Sequence, residues 1–381
     1  MTQRPLVVHF GRMGDVVMLL PLVSALHARF GTPVDIVCSG HSTRPLLEGQ
    51  PGVGTLYWIR SRKDPYWRTP EHWRLVRTLR ARGPGPTWIC DEGVDEGRRL
   101  VARAGIPPAL VADERTCPRA AGEHVVERWR RFSAVMPAAL EGDPRAQAEL
   151  VAPQVPPMTV AAAHRDELER WLAAGGLADR PLILVQVGSR STTRWGRAFE
   201  RATNRKYWPE ERWARAIDAV AALEPQAQIL LAGVPNEARI NDRILRHVST
   251  DRARNVARDL PMTRLLALQA RAAGMIAVDT GPAHSAAALG CPLVVLFGIE
   301  DPAVYTPRSP IGAVEILTGS MHGERSMLGI EPDEVVAAWT RLRNRTPGAA
   351  AGTRADYGVR RSTPSMYGCS AGGTATEPSS F

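Results

Sequence analysis

The chain alternates short apolar runs with longer ones of mixed polarity. Short runs of branched and aromatic residues read as buried strands, and longer stretches with a 3.6-residue period read as helices. Strands are therefore expected over Leu6–Phe10, Val34–Ser39, Thr55–Ile59, Thr87–Asp91 and Ala109–Ala112. Helices are expected over Val16–Phe30, Pro70–Ala81, Glu96–Ala104 and Glu123–Phe132. Five prolines (137, 144, 153, 156, 157) then mark an irregular link. The alternation restarts with strands Leu182–Val187, Gln228–Ala232, Met275–Val278 and Leu293–Phe297. Between and after them come helices Glu210–Leu223, Glu237–His247, Met262–Ala272, Pro282–Leu289 and Pro332–Arg345. Strand–helix alternation builds βαβ units on a parallel sheet. The expectation is an α/β protein of two doubly wound halves, 1–155 and 165–330, a closing helix at 331–346, and a disordered Ala/Gly/Ser/Thr-rich tail at 347–381.

Composition narrows this little. Hydrophobic residues at 44% and charged residues at 23% match soluble globular proteins and exclude a wholly disordered or collagen-like chain. The net charge of +9 suits an anionic partner without choosing one. Only Lys63 and Lys206 among the 48 basic residues are lysines, so a lysine at a particular place carries information. Five cysteines without a Cys-x-x-Cys indicate neither a zinc knuckle nor a disulfide scaffold, which fits a reduced cytoplasm. No stretch is read as reaching the ~18 apolar residues that span a bilayer. Val16–Leu26 is a poor signal peptide because Asp15 abuts it and a strand precedes it.

Four strings carry candidate chemistry. Gly11-Arg12-Met13-Gly14-Asp15 joins the first strand to the first helix. Its glycines permit a tight turn, and Asp15 either caps the helix or aims a carboxylate into the cleft at the sheet's carboxyl edge. The dinucleotide fingerprint Gly-x-Gly-x-x-Gly is absent, which argues against an oxidoreductase. Asp279-Thr280-Gly281-Pro282-Ala283-His284 opens a small-residue helix whose N–H groups suit a diphosphate, with His284 a further donor. Lys206-Tyr207-Trp208-Pro209 offers a point charge for phosphate oxygens or a merely solvated lysine. Gly233-Val234-Pro235-Asn236-Glu237 puts a carboxylate at a helix start, suited to ribose hydroxyls or to the helix dipole alone.

In this order and spacing, the four strings resemble glycosyltransferase family 9, the heptosyltransferases of lipopolysaccharide core assembly, over roughly residues 5–345. Gly14-Asp15 with Pro21 resembles that family's N-terminal signature, and the other three strings resemble its C-terminal set. The resemblance implies a GT-B fold, with two Rossmann-like domains facing a central cleft. It implies inverting transfer of a sugar, heptose foremost, from a nucleotide-diphosphate donor, an ADP-sugar foremost, to a lipopolysaccharide-core or related glycan acceptor. No metal or other cofactor is implied. Asp15 would be the general base, with Arg12 and Gly14 on the acceptor side. Lys206, Asp279, Thr280, Gly281 and His284 would meet the donor diphosphate, and Glu237 and the Leu260 region the nucleoside. A non-catalytic nucleotide-binding protein of the same fold is the alternative.

Two departures from the family pattern stand out. The segment from Gly188 to Lys206 is long and holds Arg190, Arg194, Arg197, Arg201 and Arg205. Ser189, Ser191, Thr192 and Thr193 all compete there for the family's phosphate-binding hydroxyl, and the segment is expected to act as a surface lid or clamp on an acidic acceptor. Glu300 stands where the family commonly has threonine. Arginines 60, 62, 68, 74, 77, 80 and 82, interleaved with Trp58, Trp67 and Trp73, form either a solvated face of a basic protein or a surface for peripheral docking on an anionic, cytoplasmic-side inner membrane. Nothing else resembles a nucleic-acid fold.

Overall fold

The computed structural model describes residues 4–40, 42–60, 69–91, 95–147, 152–189 and 206–346. The expectations for the tail at 347–381, for Thr192, Thr193 and the rest of 190–205, and for Lys63, Arg62, Trp67 and Arg68 fall outside these residues.

The first half runs β1 (Leu6–Val8), α1 (Met13–Phe30), β2 (Val34–Ser39), α2 (Thr43–Leu47), β3 (Val53–Ile59), α3 (Pro70–Arg82), β4 (Thr87–Ile89), α4 (Glu96–Arg103), β5 (Val111–Asp113), α5 (Val125–Phe132) and α6 (Pro144–Gln147). The second half runs α7 (Ala162–Ala174), β6 (Leu182–Gln186), α8 (Glu210–Leu223), β7 (Gln228–Leu231), α9 (Ala238–Leu245), β8 (Ala253–Asn255), α10 (Met262–Arg271), β9 (Gly274–Val278), α11 (Gly281–Ala288), β10 (Leu293–Phe297), α12 (Pro302–Tyr305), β11 (Val314–Thr318) and α13 (Pro332–Arg345). A small hairpin lies between β11 and α13.

Both large sheets are parallel throughout. Their orders are β3-β2-β1-β4-β5 and β11-β10-β9-β6-β7-β8. In each, the chain winds outward from its first strand, then returns to that strand's other side. The loops leaving β1 and β4, and those leaving β6 and β9, therefore diverge at the carboxyl edge and leave a crevice there. Such switch points are where open α/β sheets bind ligands.

The sequence pattern misjudged several elements. Ala109–Ala112 is not one strand: Pro108–Leu110 forms a 3-10 turn, and pairing with β4 starts at Val111. The helix expected from Glu123 starts at Val125, because His124 Nδ1 accepts the Val126 N–H and ends the extended chain there. The helix expected over Glu237–His247 begins as a 3-10 turn at Pro235. Helix α7 was not foreseen: it has only Leu168 and Leu172 buried, so its apolar stripe is too narrow to register. β8 and β11 escaped for a related reason, being edge strands of mixed polarity.

Helix α1 is also longer than expected, and its 18 residues are apolar enough to cross a membrane by length and composition. However, 72% of it is buried inside the protein, where it packs on α5 and α11. A helix apolar nearly all round is a core helix when proteins cover both faces. The Ala-rich α11 lets it approach closely. A Cβ on Gly281 would stand 2.8 Å from Met13 Cβ, and one on Gly14 would stand 3.0 Å from His284 Cδ2. The two halves thus meet at the N-terminal ends of α1 and α11.

Polar ties reinforce this contact along one flank. His124 Nε2 donates to Thr306 O at 2.8 Å, Arg119 donates to the Tyr305 hydroxyl, and Arg308 pairs with Glu127 at 3.4 Å. Because Nδ1 accepts and Nε2 donates, His124 is neutral; burial, opposed by the hydrogen bond to Thr306 and by Glu127 and aided by Arg308 and His284, pulls its pKa down to about 4. An unfolded histidine titrates near ~6.5. As pH falls from there toward 4, the unfolded chain binds a proton that the folded chain refuses, so stability is lost across that window. His124→Gln should lower stability at pH 7 by about 1 kcal/mol through the lost cap, with a lower Tm, yet flatten the decline of Tm between about pH 7 and pH 5. Parallel Tm profiles for the two proteins would show that His124 does not carry the acid sensitivity.

Candidate active site

The first switch point is shaped by a histidine under a glycine turn. His9 is buried, and its Nδ1 donates to Cys90 O at 2.9 Å, beside β4. A Cβ on Gly11 would stand 2.1 Å from His9 Nε2 and 2.7 Å from Asp15 Cβ. Only glycine lets the turn close over the imidazole. Asp15 is the third residue of α1, and its Oδ2 accepts the Arg12 N–H at 2.9 Å. It is therefore the helix cap that one reading expected. It also sits half-buried beside His284 of the other half, whose proton affinity it raises. Arg12 is exposed at the rim.

The second switch point gathers Lys206, Asp279, Thr280, Gly281 and His284. Asp279 follows β9 and is held by its N–H on Leu296 O. Its Oδ2 accepts from Lys206 Nζ at 3.0 Å, and Glu300 Oε1 lies 3.3 Å from the same ammonium. Thr280 is extended and its hydroxyl does not cap α11. Pro282 has no N–H, and the Ala283 N–H is taken by Thr280 O. The N–H groups of Thr280 and Gly281 have no carbonyl partner among the described residues, at the positive end of the helix. The first turn is locked by Gln269, whose Nε2 donates to Pro282 O at 2.8 Å and whose Oε1 accepts from Ser285 Oγ at 2.7 Å. Burial lowers the pKa of His284, with Asp279 and Asp15 opposing and Lys206 adding to the effect. At neutral pH His284 therefore brings no charge to this place.

The Lys-x-Trp-Pro string explains how Lys206 is aimed. Trp208 is buried, packs edge-on against Trp213 at 4.8 Å and donates to Ile330 O at 3.0 Å. Pro209 caps α8. The tryptophan is an anchor and the lysine two residues before it projects from that anchor.

Glu237 belongs to a separate cluster at the ends of β6 and β7. It is 5% exposed, and its Oε2 accepts from the Val234 N–H at 3.0 Å and from Gln186 Nε2 at 3.1 Å. Cβ atoms on Gly188 and Gly233 would stand 2.4 Å and 2.7 Å from its carboxylate. Two glycines thus make room for one buried acid, whose pKa burial pushes up. Leu260 is buried just before α10 and packs in the main core.

Sequence reasoning placed neither His9 nor Gln186 in a site, because lone polar residues next to a strand carry no spacing signal. Glu300 was noticed as a departure but not as a partner of Lys206. The arginine–tryptophan cluster is smaller than the sequence suggested. Arg82 is an internal ion pair with Asp35 at 2.8 Å, and Trp58 is half-buried with its Nε1 on Gly40 O. Trp73, Arg74, Arg77 and Arg80 do share an exposed face of α3.

Residues 92–324, more than half of the chain, match the profile of glycosyltransferase family 9 (heptosyltransferase). The chain belongs to this family. Its fold is that of the family's solved structures. ADP-heptose lipopolysaccharide heptosyltransferase II of E. coli superposes with a TM-score of 0.68 at 21% identity, covering 90% of this chain and 99% of that one. The family 9 glycosyltransferase from Veillonella parvula gives 0.70 at 18% identity, covering 90% and 97%. E. coli heptosyltransferase WaaC with ADP gives 0.64 at 18%, covering 89% and 99%. A comparison with curated proteins finds no match. The two parallel-sheet domains are therefore a GT-B fold, and the protein is a transferase of sugars. Among the described residues of this glycosyltransferase, no three His, Cys, Asp or Glu side chains converge as a metal set.

Glu237 allows a sharp test of structural against ligand-binding roles. A carboxyl whose folded pKa is raised costs stability once pH exceeds that pKa, because the folded state then holds a desolvated charge. Glu237→Gln should therefore raise Tm at pH 7 while weakening nucleotide binding. A lower Tm with unchanged nucleotide affinity would reduce Glu237 to a helix cap.

Proposed function

We propose that this family 9 glycosyltransferase moves a heptose from an ADP-heptose donor to a lipopolysaccharide-core hydroxyl, with inversion at the anomeric carbon. The observation that carries the proposal is the meeting of Asp15 with the Lys206–Asp279–His284 group across the α1–α11 contact. A base from one half and an anion site from the other are the two things a single displacement needs. The ADP-bound and ADP-2-deoxy-2-fluoro-heptose-bound forms of WaaC support the choice of donor.

In this reading Asp15 takes the proton of the acceptor hydroxyl as its oxygen attacks the anomeric carbon. The bond from that carbon to the diphosphate breaks on the opposite face, so configuration inverts. The electron pair leaves with the diphosphate, and Lys206 with the N–H groups of Thr280 and Gly281 stabilises it. His284 donates to the same oxygens as a neutral ring. Glu237 and the Leu260 region receive the nucleoside, with Thr192 or Thr193 a further phosphate ligand. Arg12 and Gly14 face the acceptor. These fixed positive groups replace a metal ion. The basic face of α3, with Trp73 exposed at 45%, suits a cytoplasmic location with peripheral contact on an anionic membrane.

Asp15→Asn should lower kcat by about 10²–10⁴-fold, the usual worth of a general base, with the Kd for ADP nearly unchanged. Nucleotide binding without transfer from any sugar donor, in the wild-type protein, would favour the non-catalytic alternative. Activity should persist in excess chelator. Complete loss that magnesium or manganese restores would refute metal independence.

A further inference from the structure

Lys206 is a phosphate ligand only if something releases it. It is held between two carboxylates, Asp279 at 3.0 Å and Glu300 at 3.3 Å. The two acids differ in freedom. The Asp279 side chain is 8% exposed, short, and fixed by the residue's own bond into the sheet. Glu300 has a longer side chain that is 43% exposed, and it lies just beyond the end of β10.

The backbone at Glu300 is nevertheless fixed. Arg325 donates to Glu300 O at 3.3 Å and pairs with Asp301 at 3.0 Å, and Asp301 in turn caps α12 through the Ala303 N–H. A turn held by these bonds therefore presents a partly exposed carboxylate to the ammonium. Among the described residues, two carboxylates, Asp279 and Glu300, pair with this ammonium, and Asp15 and Asp279 both act on the adjacent His284. A nucleoside diphosphate adds more negative charge to that balance, so one acid has to yield its place. Asp279 is not built to move, whereas Glu300 can turn into water.

We infer that Glu300 is an internal counter-anion that competes with the donor diphosphate for Lys206, and that recaptures the lysine when the nucleoside diphosphate product leaves. The inference rests on the reading of Lys206 as the diphosphate ligand given above. It assigns to Glu300 a part in setting donor affinity and product release. Its chemistry is ionic exchange alone: the Lys206–Glu300 pair opens, the ammonium turns to phosphate oxygens, and the pair re-forms on release.

The experiment is a double-mutant cycle read by calorimetric titration with ADP. Glu300→Gln keeps the shape and removes the charge. It should tighten ADP binding about two- to five-fold, the worth of a partly exposed ion pair, and product inhibition by ADP should tighten in parallel. In the Lys206→Met background the same substitution should change ADP affinity by less than half as much, because no lysine remains to compete for. Equal tightening in both backgrounds would overturn the inference, since it would mark a general field effect. Weaker or unchanged binding in Glu300→Gln would also overturn it, by making Glu300 a ligand or a bystander. Lys206→Met alone should weaken ADP binding. If it does not, the assignment of Lys206 to the diphosphate fails, whatever Glu300 does.

Discussion

Everything at the cleft depends on how closely two helix N-termini approach. Helix α1 brings Met13 and Gly14, and helix α11 brings Gly281 and His284, with no room for a methyl group on Gly281 and only a tight fit for one on Gly14. Close packing of this kind makes the arrangement stiff, because interiors tolerate little added volume. The contact sets the two topological switch points opposite one another. Asp15 of α1 then acts electrostatically on His284, as do Asp279 and Lys206 of the second half. Small residues along α11 are required here for approach, and its exposed N–H groups are a by-product of the same turn.

The charges at the cleft are arranged around that contact. Burial lowers the pKa of His284 and pushes the Glu237 carboxyl up, while Asp279 and Glu300 both pair with Lys206. In the proposed reading, the positive potential for a diphosphate comes from a lysine and from the start of a helix. Both are oriented by groups that take no part in chemistry: Trp208 anchors the lysine, and Gln269 locks the helix turn. A preorganised site of this type needs no rearrangement at the moment of charge development.

Much of the fold was legible because buried parallel strands are continuous apolar runs and their helices carry a regular stripe. β2, α8, β10 and α13 fall where the periodicity places them. Elements with little burial were not legible. α7 buries two leucines, β8 has three residues of mixed character at a sheet edge, and the Ala109–Ala112 run was broken by a preceding proline turn. Helix α1 showed the opposite ambiguity. Its composition fits a bilayer as well as a core, and only its neighbours α5 and α11 decide between them.

The candidate site divides in the same way. Local strings in the sequence determined the turn at Gly11–Asp15, the small-residue helix after Asp279, the anchored Lys206 and the carboxylate at Glu237. Each is a strand end followed by a helix start, and that grammar is local. The sequence left open whether Asp15 caps or faces the cleft; the tertiary structure shows the cap and brings the same carboxylate within electrostatic reach of His284. Gln186 under Glu237, His9 under Gly11 and Glu300 on Lys206 came only from the fold. The reason is distance along the chain: Glu300 lies 94 positions beyond Lys206, and charge pairing at 3.3 Å is created by the sheet order that brings β10 beside β9, which no local pattern encodes.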